Sequence, residues 1–233
     1  GQGGANLGFL AHPSGTLEEL YLLARIAQGL GSANIDHRLR QRDFRDQAGD
    51  AGAPGLGMAL ADVDSLEALF LVGANLRAEL PLLAHRLRKA AVRGASVSVL
   101  NPQALPLLFP VAHSLTASPA QMLRELAAVL RAALEAGAMA VPATLAPWLG
   151  HVTVNAAHRA IASSLSQGRR AIWLGALALR HSAYAELRAL ARELARVTGA
   201  QLGELLEGAN GVGACLAGCL PHRLHAGTVR LIY

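Results

Sequence analysis

Several groups of residues in this chain have types and spacings that could do chemistry. Asn34, Asp36, Arg40 and Arg42 bring an amide, a carboxylate and two guanidiniums into one short run, and His37 beside Asp36 reads either as an oriented acid–base pair or as a brace for a turn. Cys215 and Cys219 are four residues apart, which on a helix puts both sulfurs on one face. Two thiolates are too few for an iron–sulfur cluster or a structural zinc, and His222 would make a third ligand with no fourth in view, so the pair reads as small core cysteines. Gly73 and Asn75, in Val-Gly-Ala-Asn, follow an apolar run at the place where open α/β sheets bind ligands. With no G-x-G-x-x-G, that segment also reads as a tight strand-to-helix turn.

Other chemistries lack their residues. The nine histidines contain no H-x-x-x-H or H-E-x-x-H pair, and no serine sits in a G-x-S-x-G elbow. Gly208 to Ala214 is glycine-rich but has no acidic partner about twenty residues on, so it reads as a tight turn beneath a sheet and not as a nucleotide loop. The net charge of +5 is almost wholly arginine, since Lys89 is the only lysine. Arg38, Arg40, Arg42 and Arg45 form one basic run and Arg86, Arg88, Lys89 and Arg93 another, each read as a solvated face or as a surface for an acidic partner subunit. With aromatics at 4% and no groove-reading helix, nucleic acid is not expected.

The elements that must position these groups follow from periodicity. A hydrophobic content of 52% over 233 residues is ample for a core built from Leu, Ala and Val. Gly8 to Ala11 reads as a short strand. Thr16 and Glu19 form a capping box ahead of a stripe of Leu17, Leu20, Leu23, Ala24, Ala27 and Leu30. Arg42 to Gly57 reads as a surface loop. Leu69 to Gly73, then a helix over Pro81 to Arg93 that buries Leu83, Leu87, Ala90 and Ala91, then Val97 to Leu100, make a βαβ unit with parallel strands. Leu105 to Thr116 reads as a connector. Ser118-Pro119 opens a helix burying Leu123, Leu126, Val129, Leu130 and Leu134. A helix over Asn155 to Leu165, a strand over Ala171 to Leu174 and a helix from Tyr184 to Gly199 repeat the pattern. The prediction is an α/β fold of Rossmann-like parallel sheets flanked by helices. Two lobes, 1–115 and 116–233, are expected, with one continuous doubly wound sheet as the alternative.

The uncharged stretches Ala95 to Met122 and Ala136 to His158 are interrupted by prolines, so no membrane-spanning helix or direct membrane insertion is expected. The N-terminus has neither an initiating Met nor the basic flank of a signal peptide, and the chain reads as a piece of a larger protein. Two cysteines fit a reducing compartment.

The combination GSANIDHRLRQ, GLGMALAD and LFLVGANLRAELPLLAHRLRKAAVRGASVSVLNP resembles molybdopterin oxidoreductases. Within them it is most similar to the large iron–sulfur subunit of respiratory NADH-quinone oxidoreductase, through HSAYAELRALARELARVTGA and EGANGVGACLAGCLPHR as well. Catalytic members resemble Asn-x-Asp-x-x-x-Arg-x-Cys (or selenocysteine), the last residue ligating molybdenum or tungsten. Here Asn34, Asp36 and Arg40 match, and Arg42 stands in the ligand position. A guanidinium has no usable lone pair and repels a metal cation. Asn101-Pro102-Gln103 stands where catalytic members have Asp-Pro-Arg.

The resemblance therefore implies a non-catalytic scaffold portion of that respiratory subunit. It would have no catalytic, cofactor-binding or metal-ligating residue of its own and no molybdopterin, with [2Fe-2S] and [4Fe-4S] clusters upstream in the parent chain. Its partners would be the other subunits carrying electrons from NADH to quinone, on the cytoplasmic side of the bacterial inner membrane. The alternative is a molybdopterin-guanine-dinucleotide oxidoreductase of the formate dehydrogenase or nitrate reductase kind, with Gly73, Asn75 and Asn101 lining a dinucleotide groove. A cofactor-free interaction module outside respiration is the third reading.

Overall fold

A computed structural model describes residues 4–40, 42–47 and 54–221. The chain divides into two compact units, the larger being residues 42–48 and 55–205. Its centre is a five-stranded, all-parallel sheet of β3 (Ala68–Val72), β4 (Ser96–Asn101), β5 (His113–Thr116), β6 (Arg170–Leu174) and β7 (Gln201–Glu204), in the order β5-β4-β3-β6-β7. Every residue of β3 is buried, which is why it reads as a continuous apolar run and not as an alternation.

Alternation survives in what each face meets. Leu69, Leu71, Val97, Val99, Ala171 and Trp173 pack with Leu83, Leu87, Ala90 and Ala91 of α3 (Pro81–Val92), the four residues expected for that helix. The connection from β5 to β6 carries α4 (Pro119–Ala136), the one-turn α5 (Ala146–Leu149) and α6 (Ala156–Ser164); α8 (Tyr184–Thr198) links β6 to β7 and packs beside α4. Helix α4 starts at the expected Ser118 capping box, and all five residues expected on its inner face are buried. Helix α8 ends where Gly199 takes a left-handed φ of 68°.

Strands from either side of residue 115 are neighbours in this one sheet, β3 beside β6, so the arrangement is the continuous doubly wound alternative and not two sheets in two lobes. The physical reason is that β3 is apolar on both faces, and a second parallel neighbour pairs the backbone N–H and C=O groups of the edge that β4 leaves open. Two strands of this sheet escaped the sequence reading. β5 lies in the segment expected to be a connector, and β7 follows Gly199 with the pattern Gln-Leu-Gly-Glu; both are four-residue outer strands too short to show a period.

The smaller unit comprises residues 1–41, 49–54 and 206–233. Its described part holds a two-stranded parallel sheet of β1 (Phe9–Leu10) and β2 (Ile35–Asp36), the helix α1 (Leu17–Gly29) and the short α9 (Gly211–Leu216). The Thr16 capping box forms as expected. The buried stripe of α1 is narrower than its sequence suggests: Leu20 and Ala27 are buried, but Leu17 and Leu30 are half exposed. The glycine-rich segment after Gly208 is not a turn beneath the large sheet. It opens α9 within the smaller unit, where Asn210 donates to the Gly15 carbonyl.

Candidate functional site

In the larger sheet the strand order reverses between β3 and β6, and the loops after those two strands form the switch point where doubly wound folds bind ligands. Gly73, the first residue beyond β3, has a φ of 62°, and a Cβ there would overlap the backbone of Ala178 in α7 (Ala176–Leu179). Gly175, the first residue beyond β6, would drive a Cβ into Ala74. The two loops therefore lie backbone to backbone.

A diphosphate at such a place is held by free backbone N–H groups. Here several of those groups are engaged. Gly73 donates to Leu100 O (2.8 Å), Gly175 to Val72 O (2.9 Å), and Leu177 and Ala178 both to Gly73 O (2.9 and 3.3 Å). Ala74 N–H donates to Asn101 Oδ1 (2.9 Å), while Asn101 Nδ2 returns a bond to Ala74 O (3.2 Å). Asn75 N–H reaches Glu79 Oε1 at 3.3 Å, and the Asn75 side chain caps the single turn α2 (Leu76–Glu79). Gly73, Asn75 and Asn101, the residues of the dinucleotide alternative, do come together, but as a self-bonded junction.

The ligand-position residue has its own surroundings. Arg42 Nε donates to Leu179 O (3.3 Å), and its guanidinium lies 5.8 Å from the centre of the Tyr184 ring. Around it the segment 42–47 is fastened to the start of α8. Asp43 Oδ2 accepts from Ala185 N–H (2.9 Å), supplying from a distance the helix cap that Ala183 cannot. Arg45 bridges Asp43 and Glu186, at 2.8 and 2.6 Å. The Arg45 guanidinium, with the helix N-terminus behind it, holds the Asp43 carboxyl well below the usual range. Arg188, 3% exposed, binds Asp46 at 2.6 Å and Glu204 at 3.4 Å, with its guanidinium 5.3 Å from the Tyr184 ring. Burial, and then the Glu204 carboxylate, push the Tyr184 phenol far up. Its hydroxyl has no partner in hydrogen-bonding geometry among the described residues.

Residues 42–47, the described start of the segment expected to be a surface loop, are thus bolted to α8, and the first basic run is divided, with Arg38 buried against Asp36 while Arg40 and Arg45 keep 62% and 60% of their side chains exposed. The missed residues are Asp43, Asp46, Arg188 and Glu204. Arg188 carried a signal, because it sits on the apolar stripe of α8 beside Leu187 and Ala191; a lone charge there needs a buried partner.

The rest of the first motif belongs to the smaller unit. Asn34 Nδ2 donates to Ala5 O and Leu7 O (3.0 and 3.2 Å). Asp36 accepts from the backbone of His37 and Arg38 and from both ends of the Arg38 fork, all between 2.8 and 3.0 Å. Asp36 therefore braces a turn and does not orient the His37 ring. Arg40 faces Glu207 at 3.8 Å. Cys219 lies beyond the end of α9, so the two cysteines are not on one helix face, and His222 lies outside the described residues. Among the described residues no three His, Cys, Asp or Glu side chains gather as a metal site, and no helix is long and apolar enough to cross a membrane.

A parallel sheet of this order, with a glycine turn after each central strand, defines a doubly wound α/β domain. Residues 2–220 match the molybdopterin oxidoreductase family, and the chain belongs to it. Two curated relatives are similar: the F420-dependent formate dehydrogenase subunit alpha of Methanocaldococcus jannaschii, 28% identical over 101 residues, and F420-dependent formate dehydrogenase 1 subunit alpha of Methanococcus maripaludis, 26% identical over 104. These matches span 42% and 43% of this chain and 15% of each relative. Among solved structures, a chain of the formyltransferase/hydrolase complex from Methylorubrum extorquens in complex with methylofuran shares the fold. That match has a TM-score of 0.53 at 15% identity and covers 84% of this chain and 52% of that one.

Proposed function

We propose that this chain is a non-catalytic scaffold domain from the formate dehydrogenase branch of the molybdopterin oxidoreductases, kept for the assembly it supports and not for chemistry of its own. The observation that carries this is Arg42. The position that supplies a soft metal ligand in catalytic relatives holds a permanent cation turned into the Leu179 carbonyl and the Tyr184 ring. The spent donors at Gly73, Ala74 and Gly175 support the same reading, since a pterin diphosphate would have to displace bonds the sheet already makes. The two formate dehydrogenase relatives support the branch.

A second reading is the scaffold portion of the large iron–sulfur subunit of NADH-quinone oxidoreductase, on the cytoplasmic side of the membrane, beside subunits that carry electrons from NADH to quinone. It rests on the stretches His181 to Ala200 and Glu207 to Arg223, and on Arg42 and Gln103 at the two departures from the catalytic pattern.

Both readings are tested by one purification. Molybdenum and tungsten by mass spectrometry, and pterin fluorescence after acid release, are expected at background. A stoichiometric amount of either overturns the scaffold and restores the pterin enzyme of the formate dehydrogenase kind. Co-purifying subunits then separate the two assemblies: formate dehydrogenase components support the first and NADH-quinone oxidoreductase components the second.

A further inference from the structure

Among the described residues three histidines are buried, and their hydrogen bonds assign their tautomers. His158 accepts at Nδ1 from Asn155 N–H (3.1 Å), so its proton is on Nε2, which donates to Glu125 (2.8 Å). His181 has the same arrangement, accepting from Ala183 N–H (3.0 Å) and donating to Pro119 O (2.8 Å). Both rings are structural clamps that spend their acceptor on a backbone N–H.

His37 is wired the other way. Its Nδ1 lies 2.8 Å from Cys219 O, and since a carbonyl only accepts, the proton is on Nδ1. The basic lone pair is then on Nε2, which lies 3.9 Å from Cys215 Sγ. A carbonyl orients an imidazole and the imidazole faces a thiol, which is the geometry that activates a cysteine. The two cysteines differ in the ways that matter. Cys219 is fully buried, donates to Leu20 O at 3.3 Å, and burial pushes its thiol up. Cys215 keeps 9% of its surface in solvent and is followed by Leu216, which is 65% exposed.

From this we infer that Cys215 is a histidine-activated site of thiol modification, with His37 as its base and low-molecular-weight disulfides as its co-reactant class. In the exchange the Cys215 proton passes to His37 Nε2 and Sγ attacks one sulfur of the disulfide. The S–S bond breaks, and the departing thiolate takes the proton from the imidazolium. Cys215 ends in a mixed disulfide, one thiol is released, and nothing is oxidised or reduced overall. Asp36 and Arg38, on the same segment as His37, are paired to each other. All these residues belong to the smaller unit, and the inference is independent of the proposed function.

The test is site-resolved labelling of the whole native chain with iodoacetamide and with oxidised glutathione, read by peptide mass. Cys215 is expected to react at least about tenfold faster than Cys219 at pH 7. Its alkylation should rise less than about fivefold from pH 7 to 9, where an unassisted thiol near pKa 8.5 rises roughly 25-fold. His37→Gln should cost about tenfold in the pH 7 rate and restore the steep rise. Equal rates at the two cysteines, or a steep rise in the unaltered chain, overturn the inference. Because that profile needs no variant, it decides the matter even where His37→Gln unfolds the smaller unit.

Discussion

The segments on either side of residue 41 carry one inherited motif and spend it differently. From Asn34 to Arg40 the polar groups make a turn: Asn34 bonds two carbonyls at the surface and Asp36 folds back on Arg38. From Arg42 to Asp46 they enter the protein, with Asp43 capping α8 and Asp46 meeting Arg188, whose side chain is 3% exposed. The same residue types thus have different stakes. At the exposed Asn34 water replaces a lost partner, whereas at Arg188, as at Arg38 with 8% of its side chain exposed, a lost partner leaves a charge out of water. Asn34, which matches the family pattern, is therefore expected to contribute less to stability than Arg188.

The largest test of that difference is Arg188→Ala. It strands Asp46 and Glu204 beside the Tyr184 ring, and breaking a buried pair from one side costs about 3–5 kcal/mol. Urea unfolding followed by circular dichroism should show the unfolding free energy falling by that amount. A loss under about 1 kcal/mol would mean that the charges are effectively solvated and that the two segments do not differ.

How much of this was legible in the sequence depends on the range of the interaction. Helices α3 and α4 were legible down to their inner faces, because Leu83, Leu87 and Ala90, or Leu126, Leu130 and Leu134, recur at a helical period and proline and glycine mark their ends. The expected substitution at Arg42 was legible as chemistry. Its consequence was not, since Leu179 and Tyr184 lie more than a hundred residues away and no local pattern points to them. β2 hid inside the motif for a related reason: two residues have no period, and Ile35-Asp36 becomes a strand only through Phe9 and Leu10. Likewise His37 and Cys215 were each in view, but their pairing spans nearly the whole chain.

A middle-sized effect is expected at Asp43. Asp43→Ala removes the acceptor that caps the Ala185 N–H at the second residue of α8, a loss of about 1–2 kcal/mol. The pH dependence identifies the charged form as the active one. The folded carboxyl titrates below the unfolded one, so its contribution is fully present above the unfolded value of about 4 and is lost as pH falls through that value toward the lower folded one. Stability measured from pH 6 down to 2.5 should fall less steeply in Asp43→Asn than in the unaltered chain. Parallel curves would assign the acid sensitivity to other carboxylates.

The smallest effect is expected at the residue that most resembles the catalytic family. Asn34→Ala deletes two amide donations to Ala5 O and Leu7 O at an exposed position, where water takes over both carbonyls, so a loss of about 0.5–1 kcal/mol is expected. Asn34→Asp sharpens the point. At neutral pH a carboxylate only accepts, and it would face two carbonyl oxygens that also only accept, turning a weak attraction into repulsion. The aspartate variant should therefore be less stable than the alanine variant although it is closer in shape. If instead Asn34→Ala proves as damaging as Arg188→Ala, the retained half of the motif holds more than a turn, and the contrast between the two segments fails.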